Sequence, residues 1–369
     1  MKKIVLIGLK IMILMSIVLS SYKVEARNHS SSSERRTVRI LSIDGGGIRG
    51  IIPAVILKHI ESRLLPDRRL ADCFDIIAGT SAGGLIALML TTPNQNGRAK
   101  YSAAEILNIY EQFGKDVFSQ SLWQVIKSGN GWWDAKYSTD ALEKYLHIYF
   151  GNTCLRECIT NVIVPAYEIE LDKTFFFKSS RAHKEPAQDC YLKDLARATS
   201  AAPTYFRPSS MVDGTGKRTL SLIDGGIGAN NPTLAAVIYA IEMFGTDIDF
   251  MIVSLGTGTN YGAVTKNIAK EDVETSGFIG WAPKIISIMM DAVNDITNYE
   301  MYYALNYGHP KRYYRFQPIL DSERTYIDNV DPENIRILKQ SAEKLITEKR
   351  DEIGEIVKIL NLPHYKVSR

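Results

Sequence analysis

The residues with chemical potential lie in three short glycine-rich stretches. In the first, Gly79-Thr80-Ser81-Ala82-Gly83, a serine stands between two glycines. A largely apolar run, Phe74 to Ala78, leads into it, and a run rich in alanine and leucine follows to Leu88. A strand that ends abruptly in Gly-x-Ser-x-Gly and enters a helix is the pattern of a nucleophile elbow. Its chemistry is attack by the serine hydroxyl on an acyl carbon. The first N–H groups of the helix then face the negative charge that develops. A Cβ at Gly79 or Gly83 would clash in so tight a turn. A small-residue turn in an ordinary α/β protein is the plainer reading of this motif alone. The strand before it and the helix after it favour Ser81 as nucleophile.

The second stretch is Asp44-Gly45-Gly46-Gly47-Ile48-Arg49-Gly50, after the alternating run Thr37 to Ile43. Strand, glycine loop and helix together make a cradle of backbone N–H groups for an anion. Taken literally, Gly45 to Gly50 also fits the dinucleotide pattern Gly-x-Gly-x-x-Gly. That pattern calls for an acid ending the next strand, about 20 residues on. Here the next strand ends in Gly79-Thr80-Ser81 instead. The better reading is an oxyanion hole built from Gly45, Gly46 and Gly47, with Gly50 opening the helix. Arg49 is expected to hold the loop or an anionic head group, or else to be a surface arginine.

The third stretch is Asp224-Gly225-Gly226, at the end of the apolar run Leu220 to Ile223. A serine nucleophile needs a base. His29 is in the N-terminal tail. His59 and His147 fall within amphipathic helices, His183 and His309 in polar loops, and His364 near the C-terminus. None follows a strand end, where a triad histidine usually sits. Asp224 does, and Gly225 and Gly226 leave room for a neighbour to approach. A carboxylate is a poor base at its ordinary pKa of about 3.9, and partial burial beside an apolar acyl pocket would raise it. Asp224 alone would read as a turn or capping residue. Beside an elbow serine and a glycine cradle, the catalytic reading is the stronger.

The elements that must position these residues alternate along the chain. Strands are expected at 37–43, 74–79, 162–169, 174–178, 220–223 and 250–255. Helices are expected at 51–65, 102–113, 138–150, 191–200 and from Pro232, capped by Asn231, to Phe244. From Lys284 the pattern is helical, with one long charged helix at 332–360. Such alternation argues a mostly parallel sheet with helices on both faces, whose carboxyl-end loops line the site. Trp132-Trp133 sits in a glycine-rich loop. Packing on the fold's own core is the ordinary reading for that pair, and contact with a lipid interface the alternative.

The chain has 369 residues and is 45% hydrophobic, enough for one large core. Lys2-Lys3, the apolar segment Ile4 to Leu19 and the small-x-small Val24-Glu25-Ala26 read as a secretory signal over residues 1–26. The uninterrupted apolar part is too short for a membrane span, which takes about 20 residues. Residues 27–36 form a polar tail and 37–369 a single catalytic domain. Removal of residues 1–26 takes away four lysines and one glutamate, and the formal net charge falls from +3 to 0. A neutral mature chain has no basic patch for nucleic acid. Asn28-His29-Ser30 is a glycosylation sequon. Cys73, Cys154, Cys158 and Cys190 are too sparse for a disulfide framework; Cys154 and Cys158 could pair locally or sit free and buried. No histidine lies at zinc-ligand spacing from those two.

The three motifs, in this order, resemble those of the patatin-like lipid acyl hydrolases. Ala196 to Phe206 (ARATSAAPTYF) and Ser254-Leu255-Gly256-Thr257-Gly258 also look like that family, closest to its plant members. The resemblance runs from about Val38 to Leu360. It implies a three-layer α/β/α fold related to the catalytic domain of cytosolic phospholipase A2. It implies a Ser–Asp dyad without a catalytic histidine: Ser81 attacks the acyl ester, Asp224 takes its proton, and the loop amides hold the oxyanion. It implies neither metal nor cofactor. Its substrates would be phospholipids, galactolipids and other acyl esters, met at a membrane or micelle surface. Plant members also serve as vacuolar storage proteins, so a storage role with incidental esterase activity is one alternative. A Ser-His-Asp esterase is another. The leader and the sequon agree with passage through the secretory pathway to the vacuole or the exterior.

Overall fold

The computed structural model describes residues 35–118, 135–259, 278–320 and 326–364. In strand β1 (Arg36–Ile43), Leu41 and Ile43 enter one apolar cluster while Val38 and Ile40 enter another. Successive side chains of a strand point to opposite faces. Strand β2 (Ile76–Gly79) divides likewise, with Ile77 in the first cluster and Ile76 and Ala78 in the second. Strands buried on both faces need helices on both. Helices α1 (Ile51–Glu61), α2 (Ala82–Thr91), α3 (Ala103–Val117), α4 (Asp140–Phe150) and α5 (Leu192–Thr199) feed the first cluster. Helices α6 (Thr233–Phe244) and α7 (Phe278–Leu305) feed the second through Ala236, Tyr239, Ala240 and Met301. Helices α8 (Pro332–Glu348) and α9 (Arg350–Asn361) return to the first. The result is a three-layer α/β/α arrangement around a mostly parallel sheet.

The remaining strands are β3 (Asn161–Glu168), β4 (Lys173–Lys178), β5 (Ser209–Val212), β6 (Thr219–Asp224), β7 (Ile248–Leu255) and β8 (Tyr313–Phe316). Among the described residues the sheet order is β5-β6-β3-β2-β1-β7-β8, with β4 also on β3. The pairs β1–β2, β2–β3 and β7–β8 are parallel. The pairs β3–β4, β3–β6 and β5–β6 are antiparallel.

One detail of register positions the site. Strand β2 pairs with Asn161–Ile163 of β3, and β6 pairs with Ala166–Glu168. Strand β4 occupies the opposite edge from Ile163 to Glu168. Strands β2 and β6 therefore share one edge of β3 and meet end to end, with Val164 and Pro165 between them. Their last residues are Gly79 and Asp224. Asp224 thus reaches the site from an antiparallel strand, not from the carboxyl end of a parallel one.

Several boundaries differ from the sequence-based expectation: α3 runs on to Val117, and β8 stands within the stretch expected to be helical from Lys284. Helix α1 stops at Glu61, and Leu65 instead gives its N–H to Asn361 Oδ1. The long C-terminal helix breaks at Lys349, where φ is −105° and ψ 22°. The N-cap of α6 is Pro232, while Asn231 Oδ1 accepts the Thr233 N–H from one residue further out. All four cysteines are free, so Cys154 and Cys158 do not pair. The leader, the Asn28 sequon and Trp132-Trp133 lie outside the described residues. Among those described, no helix is long and apolar enough to cross a membrane.

Candidate active site

Ser81 is the turn between β2 and α2. Its backbone takes φ 51° and ψ −121°, a conformation rarely adopted by an L-residue. The two flanking glycines allow that turn. A Cβ on Gly79 would stand 2.1 Å from Gly83 O, and one on Gly83 would stand 2.2 Å from Ile43 O. The Ser81 N–H donates to Thr199 Oγ1 at 3.0 Å. Its hydroxyl donates to Asp224 Oδ2 at 2.6 Å.

Asp224 is almost wholly buried, and its other oxygen, Oδ1, accepts the Gly226 N–H at 2.7 Å. Burial raises its pKa to about 6, against the opposing pull of the hydrogen bonds from Ser81 and Gly226. The carboxylate is thus a far better proton acceptor than an exposed aspartate and is still ionised at neutral pH. Gly225 packs on β3, where a Cβ would stand 2.2 Å from Pro165 O.

The glycine loop lies against this pair. A Cβ on Gly45 would meet Ser81 Cβ at 3.2 Å and Asn230 Oδ1 at 2.2 Å. The Gly45 N–H, however, is bonded to Asn230 O at 3.1 Å, so of the three expected oxyanion donors this one is already committed. The Gly46 and Gly47 N–H groups meet no acceptor among the described residues. Gly47 has φ 57° and lines the pocket with Ser81. Ala82, the first residue of α2, brings a further N–H that a helix leaves without an internal partner. Arg49 is half-buried next to the glycine loop. Burial lowers its pKa, opposed by the charges of Asp291, Tyr205 and Asp44. Gly50 abuts Tyr110, whose hydroxyl donates to Ala82 O at 2.9 Å.

Ser81 and Asp224 line one pocket. Its walls include Ile48, Leu85, Val117, Phe118, Leu142 and Phe206. An apolar wall with two convergent polar groups suits a hydrocarbon chain ending in a reactive ester. None of the described histidines lines it. His364 Nε2 is 3.1 Å from Asp75 Oδ2, but Asp75 precedes β2 and so lies at the end away from Ser81. Among the described residues no cluster of histidine, cysteine and carboxylate side chains could hold a metal.

Residues 41–237 match the family model described as patatin-like phospholipase. The chain is 36% identical to patatin-like protein 2 of Arabidopsis thaliana, over 84% of this chain and 83% of that one. It belongs to the patatin-like phospholipase family. Patatin-2-Kuras 3 of Solanum tuberosum is 33% identical over 84% of this chain and 83% of that one. A second potato relative at 32% identity, over 84% of this chain and 86% of that one, is named probable inactive patatin-3-Kuras 1. Among solved structures, VipD from Legionella pneumophila aligns at a TM-score of 0.38 and 14% identity, covering 85% of this chain and 67% of that one. That likeness is too remote to bear on function. At family level the patatin-like function is of lipid acyl hydrolase type.

Several residues that build this patatin-like site carry no motif signal of their own. Arg315 on β8 forms a two-pronged ion pair with the fully buried Asp44 and also donates to Ser254 Oγ at 2.9 Å. It anchors the start of the glycine loop from 271 residues away. Thr257 Oγ1 donates to Gly45 O at 2.7 Å. Ile327 O accepts the Ile48 N–H at 2.8 Å. Of these, only Thr257 stood in a stretch that the resemblance marked.

Proposed function

We propose that this protein hydrolyses acyl esters of phospholipids and galactolipids through Ser81 and Asp224. The observation that carries the reading is the 2.6 Å hydrogen bond from Ser81 Oγ to Asp224 Oδ2 in an apolar pocket that no described histidine lines. An acyl chain lies along the apolar wall with its carbonyl at Ser81. The Ser81 oxygen attacks that carbon while its proton passes to Asp224 Oδ2. The Gly46, Gly47 and Ala82 N–H groups hold the tetrahedral oxyanion, and the partial charge of the α2 N-terminus adds to them. Asp224 then gives the proton to the departing alcohol, which leaves an ester on Ser81. A water molecule, losing its proton to Asp224, attacks that ester and releases the fatty acid. Serine and aspartate return to their starting states with no metal or redox partner in the cycle.

The substrate is met at a lipid surface, and the chain reaches it through the secretory pathway, in the vacuole or outside the cell. The leader-like residues 1–26 and the Asn28 sequon support that route. The test is a panel of phospholipids, galactolipids and neutral acylglycerols with the released acyl position determined, run on wild type and Ser81→Ala. Fatty acid released from polar lipids by wild type and not by Ser81→Ala is the expected result. A silent wild type would favour a storage role without catalysis, in line with the relative named probable inactive.

A further inference from the structure

The stretch Ala196 to Phe206 is prominent in the sequence, yet apart from pocket-lining residues such as Phe206 the proposed chemistry uses none of its side chains. Thr199 closes α5 and is fully buried. Its Oγ1 accepts the Ser81 N–H at 3.0 Å and donates to Pro165 O at 2.7 Å. Its main-chain oxygen accepts the Gly225 N–H at 3.3 Å. Two residues on, Ala201 O accepts the Asp224 N–H at 3.0 Å. One short segment therefore holds the nucleophile on one side and the carboxylate on the other. It does so beside the gap on β3 where β2 and β6 meet end to end.

The Ser81 N–H has no other place to go. The ladder from β1 ends one residue earlier, with the Thr80 N–H on Ile43 O. The helix begins one residue later, at Ala82. A residue held at φ 51° persists only where its surroundings over-determine it. The threonine rotamer is fixed in turn, because its methyl faces Gly84, where a Cβ would stand 3.0 Å from Thr199 Cγ2. We propose that Thr199 is a positioning residue that sets the distance and direction of Ser81 relative to Asp224. The proposal rests on reading those two residues as the dyad.

The experiment compares Thr199→Val, which keeps the shape and removes the hydroxyl, with Thr199→Ser, which keeps the hydroxyl. Thr199→Ala and Ser81→Ala run in parallel on a medium-chain acyl ester. Small displacements of reacting groups cost up to about a hundredfold in rate. Thr199→Val is therefore expected to lose about tenfold to a hundredfold in kcat with KM changed by less than about threefold, because substrate binding does not use this contact. Covalent labelling of Ser81 by a fluorophosphonate should slow in parallel, and Thr199→Ser should recover most of the rate. A Thr199→Val enzyme with wild-type kcat overturns the proposal. So does a loss shared equally by Thr199→Ser, or one that merely tracks the folded fraction seen by circular dichroism. If Thr199→Val does not fold, Thr199→Ser against Thr199→Ala decides: a fast serine variant beside a slow alanine variant supports the role, and equal rates overturn it. Activity retained in Ser81→Ala would instead overturn the dyad reading. A silent Ser81→Ala beside an unimpaired Thr199→Val overturns the role of Thr199 alone.

Discussion

Ser81 Oγ lies 2.6 Å from Asp224 Oδ2, although 143 residues separate the two in the chain. The contact exists because β2 and β6 pair with successive halves of one edge of β3 and end facing each other. A carboxylate placed there meets a serine without the intermediary ring of a triad.

The pH dependence of kcat/KM should report Asp224. Burial holds its pKa at about 6. As a base it must be ionised, so activity is expected to fall as the pH drops through about 6. An acid limb near 4, where an exposed aspartate titrates, would mean that the carboxylate is not the base or is not buried.

Asp224→Asn should be inactive yet more stable than wild type at neutral pH. The folded-state pKa of Asp224 lies above its unfolded value, so its contribution to stability is fully present below about pH 4 and is lost as the pH rises through about 6. Asparagine carries no such penalty and can still accept the Gly226 N–H. The difference should be about 2–3 kcal/mol above pH 7 and should close below pH 4. Urea denaturation at the two pH values measures it. No difference at pH 7 would show that the carboxylate is not held at a cost.

Gly46→Ala should damage catalysis at a cost in stability. The new methyl would come within 2.3 Å of Thr257 Oγ1, the atom that ties down Gly45 O. It would also stand 2.6 Å from Thr257 Cβ, which no side-chain rotation moves. Displacing the loop removes oxyanion donors, each worth about a hundredfold or more in kcat. Gly79→Ala is the companion variant: its methyl would stand 2.1 Å from the backbone oxygen of Gly83. It should cost about 3 kcal/mol of stability as well as activity. Thermal melts alongside rates separate the two effects.

Arg315→Met leaves Asp44 buried without its partner. Breaking a buried ion pair from one side costs about 3–5 kcal/mol. Loss of activity should accompany it, because Asp44 opens the glycine loop. A variant with unchanged stability in urea would show that Asp44 finds another partner or protonates without consequence.

The sequence made Ser81 and Asp224 legible as candidates, and most of the glycine loop with them, because elbow turns and close backbone approaches demand glycine at fixed spacing. Gly79, Gly83, Gly45 and Gly46 all stand where a Cβ would collide. What spacing could not convey were contacts made across the fold. Arg315 and Asn230 reach the site over long sequence separations, and an arginine in an apolar segment has no local signature; Thr199 stood in a stretch that the resemblance marked, but its partners Ser81 and Pro165 were not legible there. The same limit explains Gly45, whose N–H is taken by Asn230 O. It explains β6 as well: a short apolar run ending in aspartate reads alike whether it pairs parallel or antiparallel. The break between α8 and α9 at Lys349 was hidden because neither glycine nor proline marks it.

The most direct test is to trap the acyl-enzyme. Wild type, Ser81→Ala, Asp224→Ala and single alanine variants of all six histidines would be treated with a fluorophosphonate and with a medium-chain acyl ester. Intact-mass analysis and peptide mapping would follow. The expected result is one covalent adduct on Ser81 in wild type and in every histidine variant, with ester hydrolysis retained in those variants and lost in Ser81→Ala and Asp224→Ala. An adduct on another residue, or a folded histidine variant that has lost both labelling and hydrolysis, would contradict a Ser81–Asp224 dyad.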